Sequence, residues 1–233
     1  MRIWDIQPGY LNRQSLLGEH RELHAMVSII LHRKKGYSRH PETLRWQGYG
    51  WALRQRHRLL AAEMALRGYQ DRSPVRVRSA PGQWPETYLD APDRQFVILA
   101  EKYREKEPGR IALPRTSQQL WSQHKYSVLA RDPNAYGAIG REVSRYRHRE
   151  HFADLAVRLT EICRRPPSPG GLQNAVAHMW GHVSEFYSEP AGRPVAGWSP
   201  GRMLRETRAL AGRNQEPYLM ASTALGELGA WLS

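Results

Sequence analysis

Residues 14–32 read QSLLGEHRELHAMVSIILH, and this stretch decides the fold class. Its apolar residues recur every three or four positions, which is the period of an α-helix with one buried face. These residues are Leu16, Leu17, Leu23, Val27, Ile30 and Leu31. Asn12 stands just before the stretch and is a favourable N-cap. The pattern therefore predicts a long amphipathic helix near the start of the chain.

Helical patterns continue along the rest of the 233-residue chain. They predict further helices at residues 46–68, 93–107, 116–130, 136–148, 150–165, 172–187, 202–212 and 217–232. Residues 33–46 are expected to separate the first two helices, because Gly36 and Pro41 in this segment disfavour a continuous helix. The run PPSPGG at 166–171 is expected to be a linker. No stretch has a convincing strand pattern, so the predicted fold is all-α, in two helical units joined near 108–116.

Charge and composition narrow the classes of function. The chain has 35 Lys+Arg against 22 Asp+Glu, a formal net charge of +13, and 40% hydrophobic residues. That hydrophobic content can form a core and excludes wholesale disorder. The positive excess favours a polyanionic partner, most often nucleic acid. The alternative is an arginine-rich composition that raises the charge without a functional role.

The same composition bears on the cellular compartment. No apolar run approaches the roughly 20 residues that a membrane span needs. Asp5, Gln7 and Pro8 interrupt any apolar signal segment, and the single cysteine, Cys163, excludes an internal disulfide or a cysteine-based zinc site. The simplest expectation is a cytoplasmic protein, associated with the bacterial nucleoid if its partner is DNA.

Two carboxylates on the first helix are candidate functional groups. Glu19 and Glu22 are three residues apart, so they share a helix face. A carboxylate on a helix face is usually just solvated, and this spacing alone assigns it no chemistry.

The surrounding residues resemble a known family. The run LNRQSLLGEHREL at 11–23 resembles the first helix of the pyrimidine-dimer DNA glycosylases of the phage endonuclease V type. Their Y-R-E-L segment corresponds to residues 20–23, and their start corresponds to Met1-Arg2-Ile3 at the same distance from the Arg-Glu pair. Further matches to the bacterial branch of the family are Pro8, Tyr10, Leu11, Gly36, Tyr37, His40, Pro41, Arg45 and Trp46. The resemblance covers about residues 1–110 and implies an endonuclease V-like helical domain.

This resemblance implies a specific chemistry. The family's nucleophile is the α-amino group of the first residue, which corresponds to Met1 here. An α-amine is less basic than a lysine side chain, so a larger fraction is neutral at pH 7. Its attack on the sugar displaces the damaged base and leaves an imine, after which β-elimination can cut the strand. Glu22 corresponds to the carboxylate that stabilises the cationic sugar and transfers protons.

The resemblance therefore implies a DNA repair glycosylase, bifunctional with AP-lyase activity, that excises bases such as pyrimidine dimers from damaged double-stranded DNA. It implies no metal and no organic cofactor. The corresponding DNA-binding residues are Arg2, Gln14, Arg21, His40 and Arg45, the last two matching only the bacterial branch. Several aromatic residues are candidates either for stacking on an extruded nucleotide or for the core: Trp46, Tyr49, Trp51 and Trp84.

Departures from the phage pattern leave alternatives open. Arg2 is a large residue that hinders removal of the initiator methionine, so Met1 is predicted to be retained. Ser15 and Ala25 replace a histidine and an arginine of the phage site. One alternative is therefore the same chemistry on an alkylated, crosslinked or otherwise modified base. Another is a non-catalytic adaptor that binds nucleic acid.

The second half resembles a different family. Its pattern W-x-x-H-K-Y-x-x-L-A-x-x-P-x-x-Y begins at Trp121, and with the run at 173–186 it is similar to the YbgA-like domain of unknown function. The predicted domains are thus a glycosylase-like domain at 1–112 and a YbgA-like helical domain at 113–233. His178 and His182 are spaced i, i+4 but are interpreted as packing residues, so no metal site is predicted.

Overall fold

The computed structural model describes residues 1–188 and 195–232, and this part of the chain is all-α, which confirms the predicted fold class. Its helices are α1 (Arg13–Leu31), α2 (Pro41–Trp46), α3 (Gly50–Leu66), α4 (Pro92–Lys102), α5 (Ser117–Leu129), α6 (Pro133–Val143), α7 (Phe152–Arg164), α8 (Pro169–Trp180), α9 (Pro200–Asn214), α10 (Pro217–Met220) and α11 (Thr223–Glu227). Among the described residues, no helix combines the length and hydropathy needed to cross a membrane.

Capping side chains explain where several helices begin and end. The side chain of Asn12 accepts a hydrogen bond from the Ser15 N–H at the start of α1, as predicted. Thr116 caps α5 in the same way. After α3 the chain turns through Gly68, whose φ of +82° lies in the left-handed region that glycine adopts without strain.

The interruption predicted at residues 33–46 is confirmed up to residue 40, but residues 41–46 form the short helix α2, which the sequence did not predict. Pro41 is the first residue of α2, a position where proline is favourable because no N–H is needed there. The Nδ1 atom of His40 accepts a hydrogen bond from the Glu42 N–H over 3.1 Å and caps the helix. The proline therefore starts a helix rather than marking an interruption.

Three further predicted boundaries were also wrong. The expected linker at 166–171 ends early, because Ser168 caps α8 and Pro169 begins it. The single helix expected at 217–232 is divided, since Ser222 caps a new helix by accepting from the Ala224 N–H. Helix α8 also ends at Trp180, seven residues before the predicted end at 187.

The two sequence halves pack into a shared core. The larger hydrophobic cluster runs from Ile3 to Ile162 and so includes residues on both sides of 112/113. Trp46 is fully buried in it, whereas Tyr49, Trp51 and Trp84 are partly buried against it, so all four aromatic residues pack with the core. The domain division at 112/113 stays a prediction about sequence units.

A buried arginine of the first half also contacts the second half. Arg110 donates two hydrogen bonds to Glu63, at 2.9 and 2.8 Å, and one to the carbonyl oxygen of Met220 at 2.6 Å. Burial alone would raise the pKa of the Glu63 carboxyl, but Arg110 and Arg67 lower it, so the carboxylate stays charged. The end of α3 is thereby fixed against the C-terminal helices.

Candidate active site

The two predicted catalytic residues lie together at the start of the chain and on α1. The main-chain N–H of Arg2 donates a hydrogen bond to Oε2 of Glu22 over 2.6 Å. Three covalent bonds separate the Met1 amine nitrogen from the Arg2 nitrogen, so the amine lies within about 7 Å of this oxygen. Met1 and Glu22 are both half-buried. The structure therefore brings Met1 and Glu22 together in a partly exposed position.

The segment that follows Met1 is held by side chains from three helices. The Ile3 N–H donates to Glu42 over 3.3 Å, and the Trp4 N–H donates to Glu19 over 3.2 Å. The N–H groups of Asp5 and Ile6 both donate to Oε1 of Gln95, at 2.9 and 3.4 Å. Because Arg2 is held by Glu22, every main-chain N–H from residue 2 to residue 6 has a side-chain acceptor. The main chain that follows the Met1 amine is thus held by α1, α2 and α4.

The acceptor Glu19 is itself part of a buried ion pair. Arg56 donates to its two oxygens at 2.7 and 2.8 Å, and the same guanidinium donates to the carbonyl oxygen of Ile6 at 2.8 Å. Burial raises the pKa of the Glu19 carboxyl, and the contacts with Arg56 and Trp4 offset this only in part. Glu19 therefore serves to anchor the segment from inside the core, whereas Glu22 faces the more open side.

The structure gives Arg45 a different role from the DNA contact that the resemblance implies. Its side chain is buried and donates to Asp5 at 3.0 and 3.1 Å and to Glu42 at 2.7 Å. It also donates to the carbonyl oxygen of Ile3 at 3.2 Å. Burial alone would lower the pKa of Arg45, but the carboxylates of Asp5 and Glu42 raise it. Arg45 thus positions the N-terminal segment and cannot reach DNA without leaving these partners.

The other predicted DNA-binding residues lie at or near the surface. The Arg2 side chain is partly exposed, forms an ion pair with Asp90 and lies over the Trp4 ring. Gln14 and Arg21 are exposed on α1, and the Nε of Arg21 donates to the Leu17 carbonyl over 3.3 Å. His40 is half-buried and caps α2. Of these residues, Arg2 is the one that contacts the Met1–Glu22 pair, through the hydrogen bond from its main-chain N–H to Glu22.

A positively charged cavity continues the face of α1 that carries Glu22. Ile29 follows Glu22 by seven residues, which is two helical turns or about 10 Å along the same face. The cavity of about 410 Å³ is lined by Ile29, Ile30, Arg33, Lys34, Lys35, Ser38, Thr43 and Gln47. The three basic residues are exposed, and Thr43 adjoins Glu42, which holds Ile3. The positive charge of this cavity can attract the phosphate groups of DNA.

Comparison with known families supports the two resemblances found in the sequence. Residues 1–77 match the family of pyrimidine dimer DNA glycosylases. Residues 125–192 match a family described as a protein of unknown function, DUF1722. No curated protein and no solved structure matches the chain.

The segment that matches the glycosylase family contains both predicted catalytic residues and most of the side chains that hold residues 2–6. Met1, Glu22, Glu19 and Glu42 all lie within residues 1–77, whereas Gln95 lies beyond them. The match points to DNA repair by a glycosylase.

Sequence reasoning missed the side chains that hold the segment. Glu42 lies in the short helix α2, which the sequence did not predict, and Gln95 lies in α4, which it did. Nothing in the spacing of the two residues points to the main chain of residues 2–6. Asp90, which pairs with Arg2, lies in a loop of the chain 88 residues away.

Proposed function

We propose that this protein is a DNA glycosylase with AP-lyase activity that excises damaged bases from double-stranded DNA. Pyrimidine dimers are the substrate class that the matching family implies. The observation that carries the proposal is the 2.6 Å hydrogen bond from the Arg2 N–H to Glu22, which keeps the first amine of the chain beside a carboxylate.

The amine of Met1 is the nucleophile in this proposal. In its neutral form it attacks C1′ of the damaged nucleotide, a C1′–N bond forms, and the glycosidic bond breaks with its electron pair leaving on the base. The attacking nitrogen then loses a proton, the sugar ring opens as its oxygen gains one, and an imine joins the protein to the sugar. The imine makes the C2′ proton acidic, so its removal expels the 3′ phosphate and cuts the strand.

Glu22 supplies the charge and the proton transfer that these steps require. Its carboxylate stabilises the positive charge that develops on the sugar as the base leaves. It then accepts a proton from the attacking nitrogen or from C2′, since it is hydrogen-bonded to the Arg2 N–H that follows the Met1 amine in the main chain. The Arg2 N–H occupies Oε2, which leaves Oε1 for the reacting groups.

Binding of DNA rests on the basic surface beside this pair. The exposed residues Arg33, Lys34 and Lys35 follow the Glu22 face of α1, and the net charge of the chain is +13. The ion pair with Asp90 competes with a phosphate for the Arg2 side chain. The sugar must leave the base stack to reach the amine, so the proposal includes an extruded nucleotide.

Borohydride trapping tests the proposal directly. Borohydride reduces an imine to a stable amine, so the wild-type chain should become covalently joined to duplex DNA that contains a cyclobutane pyrimidine dimer. A variant with two extra residues before Met1 should bind this DNA but give no trapped adduct and no nick. The matched control carries the same two residues after Ser233 and should be trapped like the wild type.

The outcomes of this experiment distinguish between alternative nucleophiles, substrates and functions. An adduct with the N-terminally extended variant would overturn the assignment of the Met1 amine. Trapping with alkylated or crosslinked duplexes but not with the dimer would overturn the substrate class and retain the chemistry. Binding without an adduct on any damaged or abasic duplex would overturn the enzyme proposal in favour of an adaptor.

A further inference from the structure

Three histidines and an aspartate converge on the other side of α1. His20 and His24 are one turn apart on α1, His57 lies on α3, and Asp71 follows α3 in the loop. One ligand atom from each residue lies within 4.8 Å of all the others. The imidazole ring centroids are 4.7, 5.1 and 4.9 Å apart.

Two of these donors have no hydrogen-bond partner. The Nε2 atoms of His24 and His57 are buried, and neither makes a hydrogen bond. His57 is only 3% exposed. A buried imidazole nitrogen without a partner is costly, so two such atoms in one cluster favour a bound ligand that satisfies them. Both oxygens of Asp71 face the cluster, at 3.2 Å from His20 Nε2 and 3.5 Å from His57 Nε2.

We propose that His20, His24, His57 and Asp71 bind a divalent transition-metal ion, with Zn²⁺ as the expected metal. Three imidazoles and one carboxylate are a nitrogen-rich donor set that suits Zn²⁺ and disfavours Mg²⁺ and Ca²⁺, which take oxygen ligands. Metal–nitrogen distances of about 2.0–2.1 Å put tetrahedral ligand atoms about 3.3 Å apart, so small side-chain rotations close the site.

The metal site is separate from the Met1–Glu22 pair. His20 and His24 stand two residues before and after Glu22, which places each about 160° around the helix axis from it. The ion therefore bridges α1, α3 and the following loop behind the helix that carries Glu22. Four protein ligands complete a tetrahedral site, so its role is structural. The inference does not depend on the glycosylase chemistry.

A cavity gives access to the cluster from solvent. It has a volume of about 410 Å³ and is lined in part by His57, Asp71, Arg54, Arg58 and Arg78. Because the arginines repel a cation, the affinity must come from the donor set itself rather than from the local charge.

Cobalt titration of the full chain tests the site. After treatment with EDTA, the wild type should take up one equivalent of Co²⁺ with the visible absorption of tetrahedral cobalt, and Zn²⁺ should abolish this absorption. His24→Gln and Asp71→Asn should each weaken binding by at least about 100-fold, since loss of even an outer-shell partner costs about 10–100-fold. The matched control is His178→Gln, an exposed histidine in another i, i+4 pair, which should bind like the wild type.

A second measurement needs no variant. In wild-type chain labelled with ¹⁵N-histidine, Zn²⁺ should shift the imidazole nitrogens of three of the ten histidines. Octahedral cobalt spectra, equal affinity in His24→Gln, or shifts in His178 and His182 instead would each overturn the proposal. A failed metal titration would not decide the result of the trapping experiment, so the two proposals are tested independently.

Discussion

The guanidinium of Arg164 lies 2.8 Å from a carboxylate oxygen of Asp5, a residue 159 positions earlier in the chain. Both side chains are buried, and Asp5 also accepts hydrogen bonds from Arg45. Helix α7 of the second sequence unit therefore helps to hold the segment that begins with the Met1 amine. The unit of unknown function thus contributes to the geometry of the glycosylase-family segment.

Replacement of Arg164 should test this coupling. Arg164→Met is expected to lower the free energy of unfolding by about 3 kcal/mol, because it leaves the buried carboxylate of Asp5 with fewer partners. Urea denaturation measures the loss, and borohydride trapping should fall with it. The control is Arg158→Met on the same helix, whose pair with Glu142 is exposed and should contribute less than about 1 kcal/mol. Equal losses in the two variants would contradict the coupling.

Glu22→Gln separates the charge of this side chain from its structural contact. The glutamine oxygen can still accept the Arg2 N–H, so the segment should stay in place and DNA binding should be retained. Base excision should fall by about 10²–10⁴-fold, the usual contribution of a positioned acid or base. Single-turnover nicking and gel-shift binding give the two quantities. Exposed Glu101→Gln is the control, and wild-type cleavage by Glu22→Gln would remove Glu22 from the mechanism.

Asp90→Asn should strengthen DNA binding. The ion pair with Asp90 occupies the Arg2 guanidinium, so its loss should release Arg2 for a phosphate and steepen the salt dependence of binding by about one unit. Fluorescence anisotropy at several salt concentrations measures both effects. Glu86→Gln makes the same change in net charge at an exposed position and should leave the salt dependence unchanged. Identical curves for the two variants would mean that Arg2 does not contact phosphate.

His124 should make the protein sensitive to acid. Burial lowers the pKa of His124 to about 4, from 6.5 in the unfolded chain, so below pH 6.5 the unfolded state binds more protons and the fold loses stability. Between pH 7 and pH 5 this group should cost about 2 kcal/mol. In His124→Gln that part of the pH dependence should disappear from urea denaturation curves. An unchanged decline would show that other groups cause the acid sensitivity.

The sequence predicted the long first helix because periodicity and capping agree there. The apolar face of residues 14–32 and the Asn12 cap both point to a start near Arg13, and α1 begins at that residue. Helix α2 could not be recognised in the same way, since six residues are too few to show a period. The residues that indicate its start are Pro41 and the capping His40, but a proline is equally typical of the end of a helix.

The candidate site was predictable where it matches a motif and hidden where it depends on tertiary packing. Met1 and Glu22 are proposed from the resemblance at the N-terminus, and both lie in the segment that matches the family. The histidine cluster joins residues up to 51 positions apart, and only the i, i+4 spacing of His20 and His24 was visible in the sequence. The burial of Arg45 likewise depends on Asp5 and Glu42, which no local pattern links to it.

The hold on residues 2–6 has a genetic consequence. The donors there are main-chain N–H groups, and the proposed nucleophile is a main-chain amine, so no change of side chain at these positions removes them, apart from a change to proline. Inactivating point mutations should therefore map to the distant anchors, Glu19, Glu42 and Gln95, and to Glu22. A genetic screen for loss of the proposed repair activity would therefore find mainly residues that hold the main chain in place. Of these residues, only Glu22 is proposed to take part in the reaction.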